Sequence, residues 1–154
     1  MKCIASRTWQ VPNDLALLTR TSAEVEEWLA TFPLVPRVPY TARLIVEEMG
    51  TNIIKYGYDD NLPHSISVQV YLDDALVRVV LEDDGHPFDP FAAPHEPLED
   101  IISTRREGGL GLMLVQKICM RWHYERIADI NRVTLDIARN APDDEEEEAI
   151  PDTL

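Results

Sequence analysis

Apolar residues recur three and four positions apart in three stretches of the chain, the spacing that places them on one face of a helix. The pattern predicts helices over residues 13–32, 40–56 and roughly 110–121. Residues 32–39 separate the first two stretches and hold three prolines. Because each proline removes a backbone donor and fixes φ, we expect a connector there rather than a helix.

Alternation of polar and apolar residues, together with β-branched runs, predicts two β-hairpins. The predicted strands are residues 65–72 and 75–82, joined by a turn at Asp73-Asp74, and residues 124–128 and 132–137, joined by a turn at Asp129-Ile130-Asn131. A short mixed segment at residues 3–11 is interpreted as a further strand.

The predicted order of elements is β-α-α-β-β-loop-α-β-β, with helices and strands in separate runs. Such an order indicates an α+β fold rather than a doubly wound, Rossmann-type sheet. We therefore expect a two-layer sandwich: a mixed, mainly antiparallel sheet with helices on one face.

Two segments do not fit a continuous helix or strand. Residues 83–111 carry four glycines and four prolines, and a loop of that length is usually functional or disordered. Residues 143–148 are six consecutive acidic residues, which repel one another and bury no surface. We expect one folded domain, residues 1–139, followed by a disordered acidic tail, residues 140–154.

Composition narrows the classes of function. The chain has 154 residues, of which 45% are hydrophobic, enough for one domain with its own core. A formal net charge of -14 has the wrong sign for binding nucleic acid or anionic lipid. With no apolar run long enough for a membrane helix and no apolar leader, we expect a cytoplasmic protein. Cys3 and Cys119 are expected to be reduced thiols.

The second predicted helix carries the first candidate site. Offsets of four and three place Glu48, Asn52 and Lys55 within a narrow arc of one helix face. A carboxylate, an amide and an ammonium group in a row could serve as a general base, a metal ligand and a phosphate contact. Without further context, an exposed helix face with a Glu-Lys pair is the simpler interpretation.

Acidic residues and a glycine follow the predicted strand 75–82 directly. Asp83 at the strand end could accept a hydrogen bond from a ligand amino group, and Gly85 would let a ligand approach the backbone. An ordinary Asp-Gly turn stopped by proline explains the same string.

Glycines also open the third predicted helix. Backbone N–H groups and the helix dipole make such a helix start an anion site, and Gly108, Gly109 and Gly111 would let a phosphate come close. Arg105 and Arg106 add positive charge just upstream. No Gly-Lys-Ser/Thr follows, so this is not a Walker A sequence, and a flexible hinge is the alternative.

In this order, the three features resemble the Bergerat-fold ATP-binding domain shared by gyrase-type ATPases and sensor histidine kinases. Within that superfamily the sequence is most similar to the anti-sigma-factor serine/threonine kinases, over about residues 10–138. The similar strings are Thr-Asn at 51–52, Asp-x-Gly-x-Pro-Phe-Asp-Pro at 83–90 and Gly-Gly-Leu-Gly-Leu at 108–112. Pro87 stands where the wider superfamily often has a second glycine.

The resemblance implies a role for each matching residue. Glu48 would be the general base, Asn52 the ligand of Mg²⁺ and Lys55 a phosphate contact. Asp83 would accept a hydrogen bond from the adenine amino group, and Gly85 would leave room for the base. The residues expected to hold the phosphates are Arg105, Gly108, Gly109, Gly111 and Leu112, and residues 89–107 would form a lid over the nucleotide.

The function implied by the resemblance is that of an ATP- and Mg²⁺-dependent serine/threonine protein kinase acting as an anti-sigma factor. Its expected partners are an anti-anti-sigma protein of the STAS type, as substrate, and a sigma factor; a homodimer is also implied, and no direct contact with nucleic acid or membrane. A histidine autokinase is disfavoured, because no segment before the domain could form the phosphoacceptor hairpin. The alternatives are a non-catalytic ATP-binding module that sequesters a partner and an α+β domain without a ligand.

Overall fold

The structure, a computed structural model, describes residues 2–92 and 109–140. The strands are β1 (Ala5–Pro12), β2 (Ser65–Leu72), β3 (Leu76–Asp83), β4 (Arg121–Ile127) and β5 (Ile130–Ala138), and the helices are α1 (Leu15–Leu29), α2 (Arg37–Tyr56) and α3 (Gly109–Ile118). The strands form one five-stranded sheet in the order β1-β2-β3-β5-β4, and every neighbouring pair is antiparallel. The predicted α+β fold class is confirmed.

The core lies between one face of the sheet and the helices. Alternate residues of β2 are buried because side chains of a strand point to opposite faces. The helices bury apolar stripes against them, each large side chain contributing roughly 1.5–3 kcal/mol. Fully or almost fully buried members of this core are Leu18, Val25, Leu29, Ile45, Val46, Met49, Ile66, Val68, Val70, Leu72, Leu81, Val115, Leu135 and Ile137.

Helix α1 begins at Leu15, two residues after the predicted start, with Asp14 as its cap. The Asp14 carboxylate accepts a hydrogen bond from the backbone N–H of Leu17 at 3.0 Å, which satisfies one free donor of the first turn. The helix ends at Leu29, three residues before the predicted end.

The expected connector through residue 39 is wrong, because α2 already begins at Arg37. Pro36 is the residue before the helix and Pro39 lies buried in its first turn. The first-turn N–H groups have no intrahelical partner, so a proline there costs no hydrogen bond. Three prolines within the eight residues 32–39 therefore do not exclude the start of a helix.

The predicted turn at Asp129-Ile130-Asn131 is also wrong. Ala128 and Asp129 form a two-residue turn with φ of 50° and 64°, and Ile127 pairs with Ile130. Turns with two positive φ values favour Asn and Gly, so Ala-Asp gives little sequence signal. As a result Asn131 lies within β5, directly opposite Asp83 of β3.

Some sequence predictions fall outside the described residues. These are residues 93–107 of the proposed lid, Gly108, and the acidic tail from residue 141 onward. In the parts of the chain that are described, no helix is long and apolar enough to cross a membrane. Both cysteines are free thiols; Cys3 is exposed, and Cys119 is buried, which raises its pKa to about 12.

Candidate functional site

The second half of α2 lines a polar pocket of about 340 Å³. Helix periodicity places Glu48, Asn52 and Lys55 on the same face, one turn apart, and all three line this pocket. The other lining residues are Leu18, Thr19, Glu47, Thr51 and Tyr56. The structure thus brings together the three residues of the first predicted motif.

Glu47 and Glu48 are adjacent but differ in their surroundings. One Glu47 carboxylate oxygen accepts hydrogen bonds from Ser22 Oγ at 2.9 Å and from Arg43 Nε at 3.1 Å, which ties α2 to α1. Burial raises the pKa of Glu48, the charge of Glu47 raises it further, and Lys55 opposes both. Glu47 is therefore part of the helix packing, whereas Glu48 is a half-buried carboxylate whose ionised form is disfavoured.

The amino-terminal turn of α3 lies next to Glu48. A Cβ atom added to Gly111 would overlap the Glu48 carboxylate group. A side chain at residue 111 would therefore fit only if the Glu48 carboxylate, the far end of a flexible side chain, moved aside. The glycine string and the acidic helix motif, which are more than 50 residues apart in sequence, meet at Glu48, which itself lines the polar pocket.

Asp83 ends β3 and is 5% exposed. Its Oδ1 atom accepts hydrogen bonds from the backbone N–H of Gly85 at 2.9 Å and from Asn131 Nδ2 at 3.1 Å. With Oδ1 engaged by two protein donors, the carboxylate is fixed in orientation, and Oδ2 is the oxygen through which it could accept from a ligand.

Gly85 is held tightly against the loop that follows α2. A Cβ atom at Gly85 would approach the carbonyl oxygen of Gly57 to 2.3 Å. The same carbonyl accepts a hydrogen bond from the backbone N–H of His86 at 2.9 Å. A glycine is thus required at 85 by close backbone approach, and the loop carrying Asp83 is anchored to the end of α2.

A second, mostly apolar pocket lies between α2 and the end of β3. Its apolar walls are Met49, Ile53, Phe88, Pro90 and Val133, and its polar members are Asn52, Gly57, Asp83, His86 and Asn131. Its open volume is only about 20 Å³, which is smaller than a purine ring. The apolar walls and the buried carboxylate have the chemistry to bind a planar base that carries an amino group, but the base could enter only if the walls moved apart. Asn52 lines this pocket and the polar one, so the two pockets are neighbours.

Asn131 is the site residue that the sequence analysis missed. It is 3% exposed, and its side-chain nitrogen donates to Asp83 Oδ1 and, at 2.9 Å, to the carbonyl of His86. Its side-chain oxygen accepts from Tyr124 Oη at 2.5 Å and Arg126 Nη1 at 3.0 Å. Arg126 Nη1 also donates to the carbonyl of Gly85 at 3.0 Å. This buried network fixes both Asp83 and the loop after it.

The remaining predicted phosphate-binding residues are only partly described. Arg105 and Gly108 lie outside the described residues, and Gly109 is the first residue of α3. Leu112 packs against the hydrophobic core. Within the described part of this string, Gly111 lies beside Glu48.

The side chains around the polar pocket also determine which kind of metal ion could bind there. Among the described residues, no group of three or more His, Cys, Asp or Glu side chains could hold a metal. Mg²⁺ prefers oxygen ligands and usually takes most of them from phosphate and water. The Asn52 side chain, in the pocket with Glu48, fits a Mg²⁺ ion that arrives with a nucleotide, and does not fit a metal held by protein alone.

Comparisons with known proteins agree with the α+β fold described above. The sequence profile of the histidine kinase-like ATPase domain matches residues 11–137. Among solved structures, the chain is similar to the blue-light activated histidine kinase EL346 of Erythrobacter litoralis, with a TM-score of 0.56 and 15% identity, covering 84% of this chain and 42% of that one. The histidine kinase AdeS of Acinetobacter baumannii gives a TM-score of 0.47 and 14% identity, covering 88% of this chain and 68% of that one.

No curated protein matches the chain. The chain spans less than half the length of the Erythrobacter kinase, so that likeness concerns the fold of one domain. The profile, in contrast, covers most of the chain, including both pockets. The protein therefore belongs to the histidine kinase-like ATPase domain family.

Proposed function

We propose that the protein is an ATP- and Mg²⁺-dependent serine/threonine kinase that acts as an anti-sigma factor. The observation that carries the proposal is that Asn52 lies on the wall of both pockets. One nucleotide could place its base against Asp83 and its phosphates beside Glu48 and Lys55. Mg²⁺ bound with the nucleotide would neutralise phosphate charge.

The proposed reaction is a direct phosphoryl transfer. The hydroxyl oxygen of a serine or threonine forms a bond to the γ-phosphorus, the bond to the β–γ bridging oxygen breaks, and ADP leaves with that electron pair. Glu48 accepts the hydroxyl proton. Because phosphoryl transfer depends mainly on positioning and charge, one well-placed carboxylate is a sufficient general base.

The proposed protein substrate is an anti-anti-sigma factor of the STAS type, and the proposed inhibited partner is a sigma factor, in the cytoplasm. The sequence strings around Asn52, Asp83 and Gly111 support this narrower assignment. The acidic charge of the chain supports regulation through proteins rather than through direct contact with nucleic acid. A homodimer is part of the same proposal.

Calorimetric titration with ATP, with and without Mg²⁺, tests the binding half. We expect micromolar affinity in the wild type. Asp83→Asn should weaken binding at least tenfold, because the new amide cannot accept both internal hydrogen bonds and the base. Asp74→Asn, in the exposed turn between β2 and β3, is the matched control.

Asn52→Ala should remove most of the Mg²⁺ dependence of ATP binding, with Asn140→Ala, at an exposed position after β5, as its control. A folded wild type that binds no ATP would overturn the proposal.

The transfer half is tested with labelled ATP and purified STAS-type proteins from the same genome. Label should appear on a serine or threonine of one partner and disappear with Glu48→Gln. The alternative, a non-catalytic module that sequesters its partner, is favoured if ATP binds, the partner binds and no label is transferred.

A further inference from the structure

His64 lies between two carboxylates from different loops. Its Nε2 atom is 2.6 Å from Asp60 Oδ1, and its Nδ1 atom is 3.2 Å from Asp84 Oδ1. The imidazole side chain is 14% exposed. Neutral imidazole has one N–H donor, whereas imidazolium has two, so only the protonated ring can donate to both carboxylates.

Three further contacts hold the ring and the backbone of His64 in place. The ring of Tyr58 stacks on it, with centroids 4.0 Å apart and planes 10° apart. The backbone of His64 exchanges hydrogen bonds with Asn13, at 3.1 and 3.2 Å, where β1 meets α1. Among the described residues, the titratable groups that face His64 are Asp60, Asp84 and Tyr58. His64 is therefore held in place whatever its charge.

The electrostatics favour the imidazolium form. Hydrogen bonding to Asp60 raises the pKa of His64, partial burial opposes it, and Asp84 adds to the rise. In the same pair, the His64 hydrogen bond lowers the pKa of Asp60. The imidazolium is thus stabilised up to a pH above the ordinary titration range of histidine.

His64 also connects to the candidate base pocket. Asp84 follows Asp83 directly, and the next two residues, Gly85 and His86, contact the Gly57 carbonyl or its neighbourhood. We name residues 57–64 the helix-end loop and residues 84–86 the strand-end loop. The helix-end loop supplies His64 to Asp84, and the strand-end loop supplies His86 Nδ1, 3.3 Å from Asp59 Oδ2.

We propose that the His64 imidazolium is a positioning residue that holds the strand-end loop against the helix-end loop, a link that we call the clip. Affinity for adenine nucleotides therefore falls as His64 loses its proton. The inference rests on the proposed function, in which Asp83 contacts the base. His64 touches no nucleotide; it acts through Asp84 on the conformation of the loop that Asp83 and Gly85 share.

The sign of the pH effect follows from linkage. The clip is complete below the ordinary titration range of histidine and is lost as the pH rises through the raised pKa of the folded protein. Nucleotide binding favours the clipped loop, so bound nucleotide must in turn raise the pKa of His64 by the same coupling free energy.

The test measures the ATP dissociation constant, with Mg²⁺, from pH 5.5 to 9 for the wild type and for His64→Phe. Phenylalanine keeps the ring stacked on Tyr58 and has no donor. The ratio of the two constants cancels the titration of ATP itself. We expect His64→Phe to bind about fivefold more weakly at pH 6 and equally at pH 9, a coupling at the low end of the usual range.

The control is His123→Phe, the same substitution at a 67% exposed site on edge strand β4, which should give a ratio of one at every pH. Asp84→Ala keeps the pair of His64 with Asp60 and removes the acceptor through which His64 is linked to the strand-end loop. It should reproduce the loss at low pH, and it carries the test if His64→Phe fails to fold.

A second readout is the NMR titration of the His64 ring. Saturating ATP should raise its pKa by about 0.7, the logarithm of the fivefold coupling. Suppose the wild type binds ATP, but the ratio of its dissociation constant to that of His64→Phe is the same at every pH and ATP leaves the pKa of His64 unchanged. That result would overturn the proposed role of His64 and leave the proposed function standing. Wild-type protein that binds no ATP at any pH would overturn both.

Discussion

Gly111 of α3 lies against the carboxylate of Glu48 on α2, so closely that a single added carbon would overlap it. This contact joins the proposed phosphate-binding helix start to the proposed general base. It also makes the position of the carboxylate depend on a residue with no side chain. The function and the stability of the protein should therefore respond in opposite directions to a change at residue 111.

Gly111→Ala should lower phosphoryl transfer by about ten- to a hundredfold, because the methyl group displaces the Glu48 carboxylate from its position. Folding should be unharmed, since the carboxylate can swing away and alanine favours helix by about 1 kcal/mol over glycine. Single-turnover transfer and thermal melting measure the two effects.

Gly50→Ala is the contrasting variant for that experiment. A Cβ at Gly50 would overlap the Leu18 side chain in the interface of α1 and α2. It should lower the melting temperature by several degrees, because overpacking a buried interface typically costs 1–3 kcal/mol. If Gly111→Ala instead lowered stability and left phosphoryl transfer unchanged, the contact between Gly111 and Glu48 would play no part in catalysis.

Neighbouring glutamates of α2 should give opposite stability effects on conversion to glutamine. The pKa of Glu48 is raised in the folded protein, so its ionised form opposes folding at neutral pH. Glu48→Gln should raise the melting temperature at pH 7 by about 1–3 °C, and the gain should vanish near pH 4, where Glu48 is protonated in both states.

Glu47→Gln should lower the melting temperature by a similar amount, because it weakens the bonds to Ser22 and Arg43. Differential scanning calorimetry at pH 7 and pH 4 measures the melting temperatures of both variants. Equal effects of the two substitutions would contradict the distinction between a packing carboxylate and a site carboxylate.

The pH dependence of transfer should report the same carboxylate. Glu48 must be ionised to accept a proton, so the rate should fall on acidification with a midpoint above 4.5, the ordinary value for glutamate. Glu47→Gln removes a charge that raises the pKa of Glu48, and it should move the midpoint down.

Lys55→Met removes a charge that lowers the pKa of Glu48, and it should move the same midpoint up. Because Lys55 is also a proposed phosphate contact, the assignment to Glu48 depends on the two variants moving the midpoint in opposite directions. Midpoints that coincide in the wild type and both variants would assign the titration to another group.

Sequence periodicity was sufficient for the fold class, because the helices and strands of this protein each bury one face and so show a clear period. It failed where backbone position overrides residue preference. Pro39 was taken to stop a helix, yet it lies in the first turn of α2, where its missing N–H is not needed.

The site was only partly accessible from sequence for a related reason. Glu48, Asn52 and Asp83 lie in short strings with recognisable spacing, and their roles stay predictions until ligand binding is measured. Asn131 lies in no such string. It reaches Asp83 only through the register of β3 and β5, which depends on an unusual Ala-Asp turn.

Asn131→Ala tests that register-dependent contact. The substitution leaves Asp83 Oδ1 with only the Gly85 donor and removes the acceptor of Tyr124 and Arg126. We expect ATP affinity to fall about tenfold, and the free energy of unfolding to fall by about 1–3 kcal/mol because buried polar groups lose partners.

Discrimination between ATP and GTP separates positioning of Asp83 from general destabilisation. In the proposed site, Asp83 Oδ2 of the wild type would accept from the amino group of adenine and would face the carbonyl of guanine unfavourably, so ATP should bind far better. Once Asp83 can rotate in Asn131→Ala, the ratio of the two affinities should shrink, whereas Asn140→Ala, at an exposed position after β5, should leave it unchanged. An unaltered ratio in a folded Asn131→Ala protein would show that Asn131 supports the fold alone, because a carboxylate still held in place would continue to reject guanine.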